Sequence, residues 1–85
     1  MRMSEELNAA IERLRGLSKD DFIPRNVRSK LEEIIQVLSS DQALSIRVNK
    51  ALSDIEEISE DANIQPFTRT EIIGIASMLE SIDTE

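Results

Sequence analysis

The sequence contains no cysteine and no histidine. Without cysteine there can be no disulfide and no thiolate nucleophile, and this absence fits a protein of a reducing compartment. Without histidine the chain loses the commonest general base and metal ligand. We therefore expect no catalytic residues, no metal and no cofactor, and we predict that the protein is not an enzyme.

Aromatic residues and glycine are scarce as well. There is no tryptophan or tyrosine, and two phenylalanines offer almost no surface on which nucleic-acid bases could stack. The two glycines, Gly16 and Gly74, cannot build a phosphate-binding loop. Since no apolar run exceeds three residues, we expect no membrane span and a cytoplasmic location.

The charge of the chain is acidic and unevenly distributed. The net charge is −7, of which residues 1–52 contribute +1 and residues 53–85 contribute −8. The interpretation we favour is a solvated acidic surface that keeps the protein soluble. The alternative is a bipolar molecule whose acidic end repels nucleic acid and meets a basic partner.

Apolar residues recur at helical spacing through nearly the whole chain, which is short enough to form a single domain over residues 1–85. This pattern predicts an all-α fold with no strand. The predicted helices lie near residues 4–16, 24–39, 41–59 and 66–82. The predicted core residues are Leu14, Leu31, Ile34, Leu38, Val48, Leu52, Ile55, Ile75 and Leu79.

Polar residues and prolines mark the predicted helix starts. Ser4 and Asp41 are candidate N-caps, and Pro24 and Pro66 suit the first position of a helix. Apolar residues cover more than half the circumference of the fourth helix. Such a helix lies at the centre of a domain or buries a second face against a partner, and we favour the central position.

The sequence repeats faintly at an offset of 41 residues. This period suits two helices per unit, as in HEAT-type solenoids, but the chain holds about two units where solenoids need about three. We therefore predict an up-and-down four-helix bundle, with two HEAT-like helical hairpins as the alternative. The matching pairs are Asp20/Asp61, Ile23/Ile64, Arg28/Arg69, Leu31/Ile72, Ile34/Ile75 and Leu38/Leu79.

Two of these pairs predict a structural role for arginine. Asp20 precedes Arg28 by eight residues, and Asp61 precedes Arg69 by the same distance. In both cases the acid lies in the loop before a helix that begins at a proline. Because a guanidinium can bond a carboxylate and a carbonyl together, we predict that both arginines tether their loops. Asp21 is an alternative acid for Arg28.

Basic residues in the second and third helices could form one patch if these helices are antiparallel neighbours. The functional interpretation of such a patch is binding of nucleic-acid phosphates. The alternative is that Arg28 tethers a loop and the other side chains are solvated, which the acidic total charge favours. The residues concerned are Arg25, Arg28, Lys30, Arg47 and Lys50.

Three motifs resemble a known family. They are the stretch 23–28 (IPRNVR), the stretch 51–61 (ALSDIEEISED), and the stretch 66–70 (PFTRT), which an apolar helix follows. Together they resemble uncharacterised protein family (UPF) zero-one-four-seven, a family of small helical proteins of archaea. The resemblance implies an archaeal cytoplasmic four-helix bundle with no assigned activity, and it supplies no functional residues. Because Gln65 stands where members commonly carry a further proline, it also implies that the helix start is shifted by a residue.

The sequence thus predicts a protein of unknown function, which we interpret as a non-enzymatic protein–protein interaction module. The protein partner is unidentified, and a homo-oligomer is one form that the module could take. The alternative function is a nucleic-acid-associated factor that uses the basic patch on the second and third helices. We do not expect nucleic acid or a membrane to be the partner.

Overall fold

The computed structural model describes residues 2–84, and the side chains of residues 5–84. It contains four helices and, within that range, no strand. The predicted all-α fold is therefore confirmed, and the helix boundaries agree to within three residues. The helices are α1 (Arg2–Ser18), α2 (Arg25–Leu38), α3 (Leu44–Ser59) and α4 (Pro66–Glu80).

Each helix packs directly against two others, and in the described part of the chain the backbones of the diagonal pairs lie further apart than those of neighbours. α2 lies between α1 and α3, and α4 closes the square by packing on both α3 and α1. Neighbouring helices are antiparallel: Lys30 in the first half of α2 reaches Glu57 near the end of α3, and Ser81, just after α4, reaches Glu6 in the first half of α1. The molecule is therefore an up-and-down four-helix bundle. The HEAT-like alternative is wrong, because stacked hairpins would place α1 against α3.

The core is a column of aliphatic side chains from all four helices. Every predicted core residue except Leu52 is buried. Leu52 is partly buried and packs on the core from outside, at the edge where α3 faces α4, so the prediction that it lies in the core is wrong. Further buried residues extend the repeat of 41 residues into α1 and α3, namely the pairs Ala10/Ala51, Leu14/Ile55 and Leu17/Ile58.

α4 is not the central helix. A square of four helices has no central member, and α4 packs on α1 and α3 alone within the described residues. Its inner face buries Ile72, Ile75 and Leu79, whereas Ile73 on its outer side is 52% exposed. The expectation that α4 is central is therefore wrong, and the outer apolar surface of α4 is exposed to solvent.

The helix starts differ in part from the predicted caps. α1 begins before Ser4, and Asp41 lies three residues before the start of α3, so neither residue is an N-cap. Pro66 is the first residue of α4, as predicted, while Pro24 directly precedes α2. Since α2 begins at Arg25 and α4 at Pro66, the two helices begin 41 residues apart, in register with the repeat.

Candidate functional site

An arginine is the fourth residue of α2, of α3 and of α4. None of these three helices has a side-chain cap at its start. In each of them the arginine backbone N–H donates to the carbonyl of the residue just before the helix, and the guanidinium reaches back to the preceding loop. The arginines are Arg28, Arg47 and Arg69.

Arg69 and Arg47 each join a loop to the end of the preceding helix. Arg69 Nε donates to the carbonyl of Ser59 at 2.9 Å, and its Nη2 donates to the carbonyl of Asp61 at 2.8 Å. Arg47 donates in the same way to the carbonyls of Gln42 and Leu38. Since Leu38 and Ser59 end α2 and α3, each guanidinium lies where unpaired carbonyls carry partial negative charge.

Arg28 uses a carbonyl and an acid. Its Nε donates to the carbonyl of Ile23 at 3.0 Å, and its Nη1 lies 3.6 Å from a carboxylate oxygen of Asp21. The carboxylates of Asp20 and Asp61 accept instead from backbone N–H groups two residues further on. The acids therefore fold the loops as Asx turns, while the arginines fix the loops to the helices.

Antiparallel packing spreads the five residues of the predicted basic patch along the bundle. Arg25, Arg28 and Lys30 lie in the first half of α2, beside the end of α3, whereas Arg47 and Lys50 lie in the first half of α3. At 1.5 Å per residue, this places Arg25 and Arg47 about 20 Å apart along the bundle axis. The structure does not bring the five side chains together.

Acids lie between the basic residues of this face. Lys30 Nζ is 3.4 Å from a carboxylate oxygen of Glu57, and Lys50 Nζ is 3.4 Å from one of Asp54. The hydrogen bond and the charge of Glu57 raise the pKa of Lys30 above its ordinary value, and Glu33 and Asp54 act in the same direction. Carboxylates already surround the ammonium of Lys30, and they would compete with any phosphate.

An open cleft of 470 Å³ lies beside the α2–α3 loop. Its charged side chains, Glu33 and Lys50, have opposite signs, so the cleft favours neither anions nor cations. In the described part of the chain, no three acidic residues are grouped so as to hold a metal ion. The lining residues are Glu33, Gln36, Val37, Ser40, Gln42, Ile46 and Lys50.

A second open groove, of 320 Å³, runs between α3 and α4. Its apolar members come from both helices, and Ile73 on its rim is half exposed. The sequence indicated the wide apolar surface of α4, but the groove also needs Leu52 from α3, which the sequence placed in the core. The lining residues are Leu52, Ser53, Ile55, Glu56, Ser59, Ile73, Ala76 and Glu80.

Both phenylalanines of the chain lie on the surface. Phe22, in the α1–α2 loop, is 89% exposed, and Phe67, in the first turn of α4, is 74% exposed. Both belong to the end of the bundle that holds the α1–α2 and α3–α4 loops. There Asn26, in the first turn of α2, donates a hydrogen bond of 3.4 Å to the carboxylate of Asp61 in the α3–α4 loop. The sequence analysis assigned these two residues no role.

Comparison with protein families identifies the chain. A model of the Uncharacterised protein family (UPF0147) matches residues 1–82. The chain belongs to UPF0147. The family predicted from the three sequence motifs is thus confirmed. No solved structure matches the UPF0147 chain.

Curated UPF0147 relatives from archaea match nearly the whole chain. The Methanosarcina mazei protein is 32% identical over 83 residues, which are 96% of this chain and 89% of the relative. The Methanothermobacter thermautotrophicus protein is 38% identical over 80 residues, which are 93% of this chain and 78% of the relative. The Pyrococcus furiosus protein is 35% identical over 82 residues, which are 94% of this chain and 88% of the relative.

The UPF0147 name states no activity, so the prediction of unknown function is confirmed and the functional argument rests on the surface of this chain. Within residues 2–84, none of the helices combines the length and the apolar character that crossing a bilayer requires.

Proposed function

We propose that this UPF0147 protein is a non-enzymatic protein–protein interaction module that binds its partner in the α3–α4 groove. The observation that carries the proposal is the half-exposed Ile73, which stands beside Leu52 and Ala76 on an otherwise polar rim. Fully burying an exposed aliphatic side chain contributes about 1.5–3 kcal/mol, and covering the exposed half of Ile73 contributes about half of that. Apolar surface surrounded by polar residues is typical of binding sites.

The composition supports a role without catalysis. A chain with no histidine and no cysteine lacks the side chains that most often act as general base, nucleophile or metal ligand. The exposed serines have no histidine to activate them. We place the protein in the cytoplasm, since a chain without cysteine suits a reducing compartment.

Nucleic-acid binding is the second candidate function, and it has less support. The basic residues of α2 and α3 are spread along the bundle, and Arg28 and Arg47 donate to loop carbonyls. Lys30 and Lys50 lie beside acids. A phosphate backbone would also meet a molecule of net charge −7.

A photocrosslinking experiment with a matched control tests the interaction module. The crosslinking residue p-benzoylphenylalanine replaces Ile73 in one variant and Glu32 in the other. Glu32 is exposed and occupies on α2 the position that Ile73 occupies on α4, 41 residues further on. Irradiation in an extract of the native cells is expected to give a discrete adduct from position 73 and none from position 32.

Equal adducts from both positions, or none from position 73, would contradict the proposal. An adduct of twice the chain's own mass would identify the partner as a second copy. Light scattering on the purified protein tests that form independently, and we expect a monomer.

A further inference from the structure

We infer that the segment bound in the α3–α4 groove is a basic amphipathic helix, with apolar side chains on one face and lysine or arginine beside them. The inference rests on the proposed function and names the chemistry of its partner. It combines the charge of the groove, the shape of its floor, and a comparison with the equivalent groove of the other hairpin.

Carboxylates are the charged groups of the groove. Glu56 comes from α3 and Glu80 from α4, both are exposed, and none of the lining residues is basic. The surrounding part of the chain, residues 53–85, carries a net charge of −8. A segment seated on the apolar floor would place its flanking side chains near these carboxylates, where cations are stabilised and anions are repelled.

The α1–α2 groove shows that the fold does not require a groove between two helices to be acidic. At the offset of 41 residues, Arg15 stands where the α3–α4 groove has Glu56, and Glu32 stands where it has Ile73. The α1–α2 groove is lined by charges of both signs, and Arg15 there is paired with Glu12 at 2.6 Å. The two grooves therefore differ at the rim positions that a partner would touch.

The walls of the groove favour a helix over other peptide conformations. Both walls are α-helices, so there is no free strand edge to which an extended peptide could add. The groove contains no aromatic residue, whereas grooves that bind polyproline segments are lined by aromatics. The small side chain of Ala76 leaves room in the groove for a partner's side chain. The stretch from Ile73 to Glu80 is about 10 Å long, which matches two turns of a partner helix.

A second copy of the chain is a poorer occupant. A symmetric dimer through this face would bring Glu56 and Glu80 close to the same carboxylates of the other copy. Like charges brought together at an interface oppose binding. A helix of opposite charge meets no such repulsion.

The test uses the whole protein, labelled with ¹⁵N, and three synthetic peptides about five turns long. The first carries leucines on one helical face and lysine and arginine elsewhere. The second has glutamate in place of every basic residue. The third has the composition of the first in an order that scatters the leucines around the helix. Amide chemical shifts locate the binding site and give the dissociation constants.

We expect the first peptide to bind about tenfold or more tightly than either of the others. Its shift changes should be confined to the facing parts of α3 and α4. The double variant E56Q/E80Q should weaken binding of the first peptide about tenfold, whereas the matched variant E12Q/E32Q in the other hairpin should leave binding unchanged. All four glutamates are exposed, so both variants are expected to fold.

Three results would overturn the inference: no binding of the first peptide, equal binding of the first and third peptides, or shift changes spread over the whole acidic surface. In each case an adduct from position 73 would still support the interaction module, with a partner segment of another kind. Loss of both the adduct and peptide binding would overturn the proposed function as well.

Discussion

At the scale of single residues, Arg28, Arg47 and Arg69 stand at the starts of helices that have no serine or aspartate cap, and they do a different task from such a cap. A short cap would bond one N–H of its own helix. The arginines instead donate to carbonyls of the loop before the helix, and two of them reach the last residue of the preceding helix. They therefore fix the position of one helix relative to another as well as the path of the loop.

Replacing Arg69 by lysine tests this role. Lysine keeps the charge but lacks the planar fork, so it cannot reproduce both bonds to Ser59 and Asp61. We expect the free energy of unfolding to fall by about 1–3 kcal/mol, because a hydrogen bond from a charged donor contributes about 1.5–3 kcal/mol and lysine can still form one of the two. Urea denaturation followed by circular dichroism measures the loss. The same exchange at the exposed Arg13 serves as control, and equal midpoints for the two variants would contradict the tether.

At the scale of helices, the spacing of apolar residues fixed the angular position of each side chain on its own helix. That was enough to predict four helices and nearly the whole core. The spacing could not show whether a neighbouring helix covers the residues at the edge of an apolar helix face. Leu52 belongs to the predicted core, yet it lies at the edge of α3 that faces α4 and stays partly exposed.

The loops show a similar limit. The repeat of 41 residues led to Arg28 and Arg69, because each recurs with an aspartate at the same spacing. Arg47 has no such partner in the repeat, so the sequence places it only in the basic patch. Its role follows from being the fourth residue of α3, a position that is known only once the start of that helix is known.

The difference between Leu52 and a fully buried leucine is open to measurement. Leu31 is 0% exposed, and Leu31→Ala is expected to lower the free energy of unfolding by about 2–5 kcal/mol, because it removes buried contacts and leaves a cavity. Leu52→Ala removes a partly solvated side chain from an open groove, and we expect a loss of about 1 kcal/mol. Chemical denaturation of the two variants provides the comparison. A loss at Leu52 as large as that at Leu31 would show that the groove is closed in solution.

At the scale of the whole molecule, charge determines which large partners can approach. The net charge is −7, and the basic side chains of Arg28, Lys30, Arg47 and Lys50 lie beside acids or backbone carbonyls. We therefore expect dissociation constants weaker than about 100 µM for single-stranded RNA and duplex DNA at physiological salt. Fluorescence anisotropy over a series of salt concentrations is the measurement. Tighter binding that weakens steeply with added salt would restore the nucleic-acid hypothesis.

Because α4 packs on α1, the hairpin α3–α4 could precede the hairpin α1–α2 in the chain without a change in the fold. The hydroxyl of Ser81 lies 3.3 Å from a carboxylate oxygen of Glu6, so a short glycine linker can bridge these ends of the helices. A circular permutant opened in the α2–α3 loop, after Asp41, would keep every helix intact and would interrupt the loop that Arg47 holds. We expect it to melt cooperatively, with the helical circular dichroism of the parent chain and a somewhat lower melting temperature. An unfolded permutant would show that the α2–α3 connection, and not the closed square of helices, is what holds the hairpins together.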